Sequence, residues 1–470
     1  MASAPDQGLR RSGNAGRRVA GLAGLAIAVL AAGWAFDQHY RFFDMAIYQG
    51  ALRWWTAGGE LYGYEAPVRG RLGFTYPPFA AVLLMPVATM SLTAAGWLNA
   101  GASLLALGVV LHVVIRRTDL GRGASPGLVL TAAVVLAAAT EPVRQTLGLG
   151  QINLLLLALI VIDIGVLARS DSRWAGAGVG IATAIKLTPG LFIVYLLVTR
   201  RWRMTGVAIG AATAATAATL PLAPEESVRY FTELLWQTGR VGTPDAVANQ
   251  ALSGLLARLP DATTSSGGWW LAASALILVA GLCRARRAHD AGDEISALTV
   301  VGLTANLISP ISWTHHLLFR PIAVLLLADS GRRCRIVMAA VVYGICVLSP
   351  IWVAGNAPGG VAGFIAGNTF ALMMIALVLR LPIRARPPGA AETACSPLAT
   401  GSSSGQDAST RVSRSQFARS AISWRTAAVI ARVKVTSRWT ASTISTPALR
   451  SAVASSLPTS RSPYRIGSAQ

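Results

Sequence analysis

The chain has 470 residues, of which 53% are hydrophobic and 13% are charged, and its mean hydropathy is +0.52. About a quarter of the residues in a soluble globular domain are charged, so this composition excludes an ordinary water-soluble protein. Apolar runs recur from residue 19 to residue 380, and a bilayer core needs about 20 consecutive apolar residues per helix. The sequence therefore predicts an all-α, polytopic membrane protein.

The net charge of +21 does not indicate a nucleic-acid partner, because the basic residues lie outside the apolar runs. Residues 384–470 hold twelve basic residues against two acidic ones. The remaining arginines stand mainly at the ends of apolar runs, where they set membrane topology. The four cysteines are scattered without the spacing of a zinc site or a disulfide framework. We therefore expect no metal, no cofactor and no nucleic acid.

The first apolar run, residues 19–36, is predicted to be a retained signal anchor. Four arginines between residues 10 and 18 precede it, which places the N-terminal segment 1–18 in the cytoplasm. Trp34 and Phe36 end the run, where a cleaved signal peptide has small residues.

Basic clusters between the later apolar runs set the predicted topology. All of them are cytoplasmic if spans lie near residues 19–36, 93–115, 126–141, 152–168, 174–186, 188–199, 204–220, 268–283, 296–311, 316–330, 336–353 and 361–380. This arrangement has twelve crossings with both termini inside, and ten or eleven crossings is the alternative. Spans 174–186 and 188–199 are short, so we also consider one broken or re-entrant pair around Lys186 and Pro189. Residues 77–86 do not fit as a crossing and are predicted to form an interfacial helix.

With this topology, four segments face outward, at residues 37–91, 141–151, 221–267 and 309–316. Most polar residues that could do chemistry lie in them, so the active site is predicted on the outer, periplasmic face of the plasma membrane. The membrane-embedded catalytic domain is expected to span residues 19–383. Residues 384–470 are rich in Ser, Thr, Ala and Arg without a sustained apolar run, and this basic tail is predicted to be disordered.

Asp44 is the candidate catalytic residue, because it stands among aromatic residues just outside the first predicted span. An acidic side chain in such an environment can have a raised pKa and act as a general base. The alternative is a solvated loop aspartate that pairs with Arg41 or Arg53.

Lys186 is the only lysine of the membrane domain and lies between two short apolar runs. A cation within a membrane protein needs a partner or a function, and with Pro189 breaking the helix it could bind a phosphate. The alternative is a lysine that only orients its span.

The segment from Ser309 to His316 contains two adjacent histidines, and Arg320 follows His316 by one helical turn. His315, His316 and Arg320 are candidates for binding a phosphate diester and stabilising its leaving group. Adjacent histidines point in different directions, which argues against a metal pair, and one of them could be a structural hydrogen-bonding residue.

Four amide side chains and one tyrosine complete the candidate substrate-binding residues: Gln151, Asn153, Asn249, Gln250 and Tyr76. Amides at a membrane edge suit sugar hydroxyls, but they equally suit helix capping and packing. Tyr76 lies in an aromatic stretch that can form a platform for sugar rings or a membrane anchor.

Six short motifs, in order along residues 19–380, together resemble glycosyltransferase family 87. They are Phe43-Asp44, Phe74-Thr75-Tyr76-Pro77-Pro78-Phe79, Gly150-Gln151-Ile152-Asn153-Leu154, Lys186-Leu187-Thr188-Pro189, Asn249-Gln250 and Ser309-Pro310-Ile311-Ser312-Trp313-Thr314-His315-His316. The resemblance implies the multi-pass GT-C fold, with about 10–12 transmembrane helices and the active site on outward-facing loops. It also implies an activity, since the family includes polyprenol-phosphate-mannose-dependent α-(1→2)-mannosyltransferases that build phosphatidylinositol mannosides, lipomannan and lipoarabinomannan.

Under this resemblance, Asp44 matches the acidic residue in the first outer loop and would deprotonate the acceptor hydroxyl. The partners would be a polyprenyl-phosphate sugar, a lipid-anchored glycan and membrane lipids, and the reaction would invert the anomeric carbon. The chain has no Asp-x-Asp motif of the kind that holds a metal–nucleotide sugar, in agreement with a lipid-linked donor.

Two alternatives remain from the sequence. A transporter or flippase of lipid-linked sugars would also be polytopic, although transporters often have two similar halves with matched broken helices, which this sequence lacks. A transferase for another sugar, arabinofuranose or glucose, would keep the same enzyme class.

Overall fold

A computed structural model describes residues 39–67, 72–120, 124–259, 267–354 and 360–384. The predicted first span at 19–36, its preceding segment and the tail from residue 385 onward lie outside these ranges. Within the described residues all regular elements are helical and none is a strand, which confirms the predicted all-α class.

The first half of the described chain forms nine helices. They are α1 (Phe43–Thr56), α2 (Pro78–Leu84), α3 (Leu92–Ile115), α4 (Pro126–Ala138), α5 (Glu141–Leu149), α6 (Asn153–Ile162), α7 (Ala177–Ile185), α8 (Gly190–Val198) and α9 (Trp202–Ala217). A π-helical turn, Asp163–Leu167, continues α6, and a 3₁₀ turn, Met85–Thr89, continues α2.

The second half of the described chain also forms nine helices. They are α10 (Pro224–Thr232), α11 (Leu252–Ala257), α12 (Gly267–Asp290), α13 (Glu294–Ile308), α14 (Phe319–Ala328), α15 (Arg333–Leu348), α16 (Ile351–Ala354), α17 (Val361–Gly367) and α18 (Thr369–Arg380). Two 3₁₀ turns that matter below are Thr238–Val241 and Thr314–His316.

Within the described residues, two helices are each long and apolar enough to cross a membrane, α3 and α12. The number rises to four if each bent pair is a single span, α4 with α5 at 77° and α17 with α18 at 68°. Shorter apolar helices occupy several other predicted spans, including α13 and α14. The predicted count of ten to twelve crossings therefore stays a prediction, as does the interfacial position of residues 77–86.

Helix α3 has the surface expected of a membrane helix. Leu98 and Leu105 are 65% and 72% exposed, whereas Asn99 and Ser103 on the same helix are buried. A helix in water would reverse this pattern, but lipid is as apolar as leucine and leaves polar side chains facing the bundle. The bundle centre is α13, which is buried along nearly its whole length and packs against α12, α14 and α18.

The break predicted at Lys186 is present. Helix α7 ends at Ile185, Lys186 is extended with φ −150° and ψ 129°, and α8 begins at Gly190. The start of α7 is held by Asp163, whose carboxylate accepts backbone N–H bonds from Gly176 at 2.6 Å and Val179 at 2.8 Å. A buried carboxylate at a helix N-terminus is favourably placed, and it gives α7 a defined position from which Lys186 projects.

Candidate active site

Asp44 lies in the first turn of α1, directly after a strained backbone segment. Arg41 and Phe42 both adopt left-handed conformations, with φ values of 52° and 49°. Phe42 is held there by its backbone N–H, which donates to the carbonyl of Gly148 at 3.0 Å. Consecutive left-handed residues without glycine cost energy and cluster at functional sites. The strained segment positions Asp44, which supports a functional role for this residue.

Gly150 brings the second element of the site against α1. It ends α5 with φ +77°, and a Cβ at this position would lie 2.6 Å from the Cβ of Met45. Both its conformation and the close approach require glycine. As a result the next residue, Gln151, faces Asp44, and its Nε2 donates to Asp44 Oδ2 at 2.6 Å.

A chain of hydrogen bonds runs from Asp44 to Lys186. The Oε1 of Gln151 accepts from the Tyr76 hydroxyl at 2.8 Å and from Asn153 Nδ2 at 3.4 Å. The Oδ1 of Asn153 in turn accepts from Lys186 Nζ at 2.9 Å. The amides thus link the one carboxylate to the one ammonium group of the site, and they unite five of the residues predicted from sequence.

The histidine pair lies beside this chain. The carbonyl of His315 accepts from Thr146 Oγ1 at 3.0 Å and from Asn153 Nδ2 at 3.3 Å. The ring Nε2 of His315 is buried without a hydrogen-bond partner in the described part of the chain. Burial and the charge of Lys186 lower the pKa of His315 to about 3, so its ring is neutral. The rings of His315 and His316 meet edge to face, 4.6 Å apart.

These residues line a cavity of about 520 Å³. Its wall is formed by Trp352 and by residues within the ranges 43–48, 72–77, 145–151, 186–188, 230–248 and 309–316. All four segments that the predicted topology places on one side of the membrane therefore contribute to one cavity. Their location on one face of the membrane, and which face that is, stays a prediction.

A second, apolar cavity of about 60 Å³ adjoins the first between α6, α8, α13 and α14. Leu156, Phe192 and Phe319 are among its lining residues. Both cavities share Lys186 and His316. The Lys186 ammonium group therefore stands where the main cavity meets the second, apolar cavity (the apolar slot).

Asn249 and Gln250 do not line either cavity, in contrast to the predicted substrate contact. Asn249 Oδ1 accepts the backbone N–H of Ser312 at 2.9 Å, and Gln250 Oε1 accepts that of Ala371 at 3.0 Å. The backbone N–H of Gln250 also donates to the carbonyl of Ser312 at 2.8 Å. Their side chains are buried and fully engaged, so they position the loop that carries the histidines.

Arg320 is also removed from the cavity. It is fully buried, and its guanidinium lies 3.8 Å above the centre of the Phe370 ring. Although Arg320 follows His316 by one helical turn, its side chain points into the helical bundle. Arg320 is not among the described residues that line either cavity, and its predicted contact with a phosphate stays a prediction.

Sequence reasoning missed the support beneath the histidine loop. The buried carboxylate of Glu141 accepts from Arg144 at 2.8 Å and from Trp352 Nε1 at 2.8 Å, and it also accepts from Gln145. Gln145 in turn accepts from the hydroxyl of Thr314. Nothing in the local sequence marks Glu141 as a hub, because two of its partners, Ser349 and Trp352, come from the end of α15 and from α16, some 200 residues away.

Comparison with known proteins gives the same family as the motifs. The profile of Glycosyltransferase family 87 matches residues 74–310. A relative from Mycobacterium tuberculosis (strain ATCC 25618 / H37Rv) is 33% identical over 337 residues, 68% of this chain and 77% of the relative. It is named polyprenol-phosphate-mannose-dependent alpha-(1-2)-phosphatidylinositol mannoside mannosyltransferase.

Two relatives from Mycolicibacterium smegmatis (strain ATCC 700084 / mc(2)155) also match. One has the same name and is 33% identical over 294 residues, 58% of this chain and 66% of the relative. The other is named as the corresponding phosphatidylinositol pentamannoside mannosyltransferase and is 30% identical over 280 residues, again 58% and 66%. No solved structure matches the chain significantly.

The family profile covers half of the chain and contains four of the six motifs on which the resemblance was based. Asp44 and the histidine pair lie outside the matched range, so their roles depend on the geometry of the cavity. The chain belongs to glycosyltransferase family 87.

Proposed function

We propose that this protein transfers mannose from polyprenyl-phospho-mannose to a lipid-anchored mannoside of the phosphatidylinositol mannoside, lipomannan or lipoarabinomannan type, forming an α-(1→2) linkage. The names of the relatives support the donor, the acceptor class and the linkage. The observation that carries the proposal is the pairing of Asp44 with Lys186 across one cavity that opens into an apolar slot.

Asp44 is the proposed general base. Its carboxylate removes the proton from the acceptor hydroxyl as the hydroxyl oxygen attacks the anomeric carbon. The bond between that carbon and the phosphate oxygen breaks, and polyprenyl phosphate leaves with the electron pair. A single displacement on a β-linked donor inverts the anomeric carbon and gives an α-linkage.

Lys186 is the proposed site of the leaving phosphate. A phosphate leaving group gains negative charge as its bond breaks, so a fixed cation stabilises it more than a proton donor would. The neutral ring of His315 can add a hydrogen bond but no charge. Asn153 fixes the ammonium group, and the neighbouring apolar slot suits the first part of an isoprenoid chain.

We also propose that the protein is retained in the plasma membrane, with the cavity on the outer face and both termini in the cytoplasm. The distribution of arginines supports it, since the four segments that line the cavity alternate with the basic clusters. A transporter or flippase remains the second candidate class, and a direct assay separates the two.

The test uses purified protein with polyprenyl-phospho-mannose and a phosphatidylinositol mannoside acceptor. We expect a product one hexose heavier by mass spectrometry, which an α-(1→2)-specific mannosidase converts back to the acceptor. Transfer from the arabinofuranose or glucose donor instead would identify another sugar. Movement of the donor across a vesicle membrane without any transfer would support the transporter.

At pH values below about 6, the rate of transfer should decrease. Burial raises the pKa of Asp44 to about 6, and the hydrogen bond from Gln151 and the charge of Lys186 offset this only in part. The base acts in its ionised form, so kcat/KM should drop about tenfold per pH unit on the acidic side. An unperturbed aspartate would hold the rate down to about pH 4. A pH–rate profile that stays flat to about pH 4.5 would contradict a raised pKa at the catalytic base.

A further inference from the structure

The main cavity contains a second cation that the proposed chemistry does not use. Among the described residues that line it, Asp44 is the only carboxylate, whereas Lys186 and Arg240 are both cations. Lys186 stands at the mouth of the apolar slot. Arg240 belongs to the 3₁₀ turn Thr238–Val241, which comes from the large segment predicted to lie outside the membrane.

Arg240 has no carboxylate partner in the described part of the chain. Its guanidinium donates to the carbonyl of Tyr62 at 3.2 Å and lies 5.6 Å from the centre of that ring. The neighbouring Arg229 differs, because it forms ion pairs with Glu60 at 2.6 Å and Glu233 at 3.8 Å. Arg240 thus presents a half-buried, uncompensated charge to the cavity, while Arg229 is neutralised.

Aromatic rings flank this charge. The rings of Tyr62 and Tyr230 are 5.5 Å apart, and Tyr230 lines the cavity. Trp313 packs against Gly242, two residues beyond Arg240, so closely that a Cβ at Gly242 would lie 2.4 Å from the indole. Flat aromatic surfaces beside a guanidinium suit a ligand that carries both sugar rings and an anionic group.

We propose that Arg240 binds the phosphodiester of an anionic glycolipid acceptor, while Lys186 serves the phosphate of the donor. This inference rests on the proposed function and names the acceptor subsite of the same cavity. Two lipid phosphates must be accommodated at once, and their mutual repulsion favours two separate cations over one shared site. Arg240 is the cation on the outer segment, and Lys186 is the cation beside the apolar slot, so each phosphate has a distinct position.

The test compares Arg240→Gln with wild type on two acceptors. One is a phosphatidylinositol mannoside, and the other is an alkyl α-mannoside that has no phosphate. A guanidinium–phosphate contact contributes about tenfold or more to affinity. We expect KM for the phosphatidylinositol mannoside to rise by at least about tenfold in the variant, whereas KM for the alkyl mannoside and for the donor should change less than about twofold. Arg229→Gln is the matched control and should leave all three KM values near wild type.

A rise in KM for the donor would show that Arg240 binds the donor phosphate and would overturn the inference. Equal losses on both acceptors would indicate a structural role and would also overturn it. Binding of the phosphatidylinositol mannoside alone, followed by tryptophan fluorescence, separates this inference from the proposed function. Weaker binding to Arg240→Gln but not to Arg229→Gln supports the acceptor subsite even if no transfer of mannose is found.

Discussion

Replacing Asp44 with asparagine should lower kcat for mannosyl transfer by about 10²–10⁴-fold without unfolding the protein. Asparagine has the shape of aspartate, and its side-chain oxygen can still accept the bond that Gln151 Nε2 donates at 2.6 Å. The substitution removes the negative charge and with it the ability to take a proton, so the loss should fall mainly on kcat, with little change in KM for either lipid. Steady-state kinetics with both substrates varied measures the two effects separately.

The matched control is Asp171→Asn. Asp171 is an exposed aspartate whose partner is Arg203, remote from the cavity lining. The Asp171→Asn variant should transfer mannose at the wild-type rate. Wild type, Asp44→Asn and Asp171→Asn should all have the same thermal unfolding temperature. If Asp44→Asn retained more than about a tenth of the wild-type kcat, the base would have to be another group.

Replacing Lys186 with methionine should reduce kcat/KM for the donor by about 10²-fold or more. Methionine keeps the length and apolar stem of lysine but removes the charge that Asn153 Oδ1 holds at 2.9 Å. In the variant, the acidic limb of the pH–rate profile should also shift to higher pH, because the charge of Lys186 lowers the pKa of Asp44. A residue with only a packing role would not shift that limb.

Lys186→Arg is the control for charge against geometry. It should recover part of the donor affinity and return the acidic limb toward its wild-type position, since the positive charge is kept. If Lys186→Met and Lys186→Arg had equal effects, the shape of the lysine side chain would matter rather than its charge. If Lys186→Met left the donor kinetics unchanged, the proposed leaving-group role would be wrong.

The candidate site was partly predictable because two of its features are local. The break between α7 and α8 follows from Lys186 and Pro189 in an apolar run, since a charge and a proline both disfavour a continuous membrane helix. Gly150 is required by a left-handed helix end, and that turn delivers Gln151 to Asp44. In each case the residue type itself imposes the backbone geometry.

The partners of the polar side chains were not predictable in the same way. Asn249 and Gln151 are both amides in segments predicted to face outward, yet Asn249 holds a buried loop and Gln151 faces the cavity. Arg229 and Arg240 lie in the same segment, but only Arg229 forms ion pairs with carboxylates in the described part of the chain, and the shorter of these pairs is with Glu60, 169 residues away. Such pairings depend on contacts between distant parts of the chain.

The sequence by itself determined the all-α class, the family and the broken helix at Lys186, and it predicted which segments share one side of the membrane. These follow from apolar run length, arginine placement and residues with restricted backbones, all of which act locally. Only the tertiary structure decided that Asn249, Gln250 and Arg320 are buried behind the cavity and that Arg240 faces into it. The physical reason is that a polar side chain in a helical bundle is satisfied by whichever neighbour packing brings to it, and that neighbour is set by the fold rather than by adjacent residues.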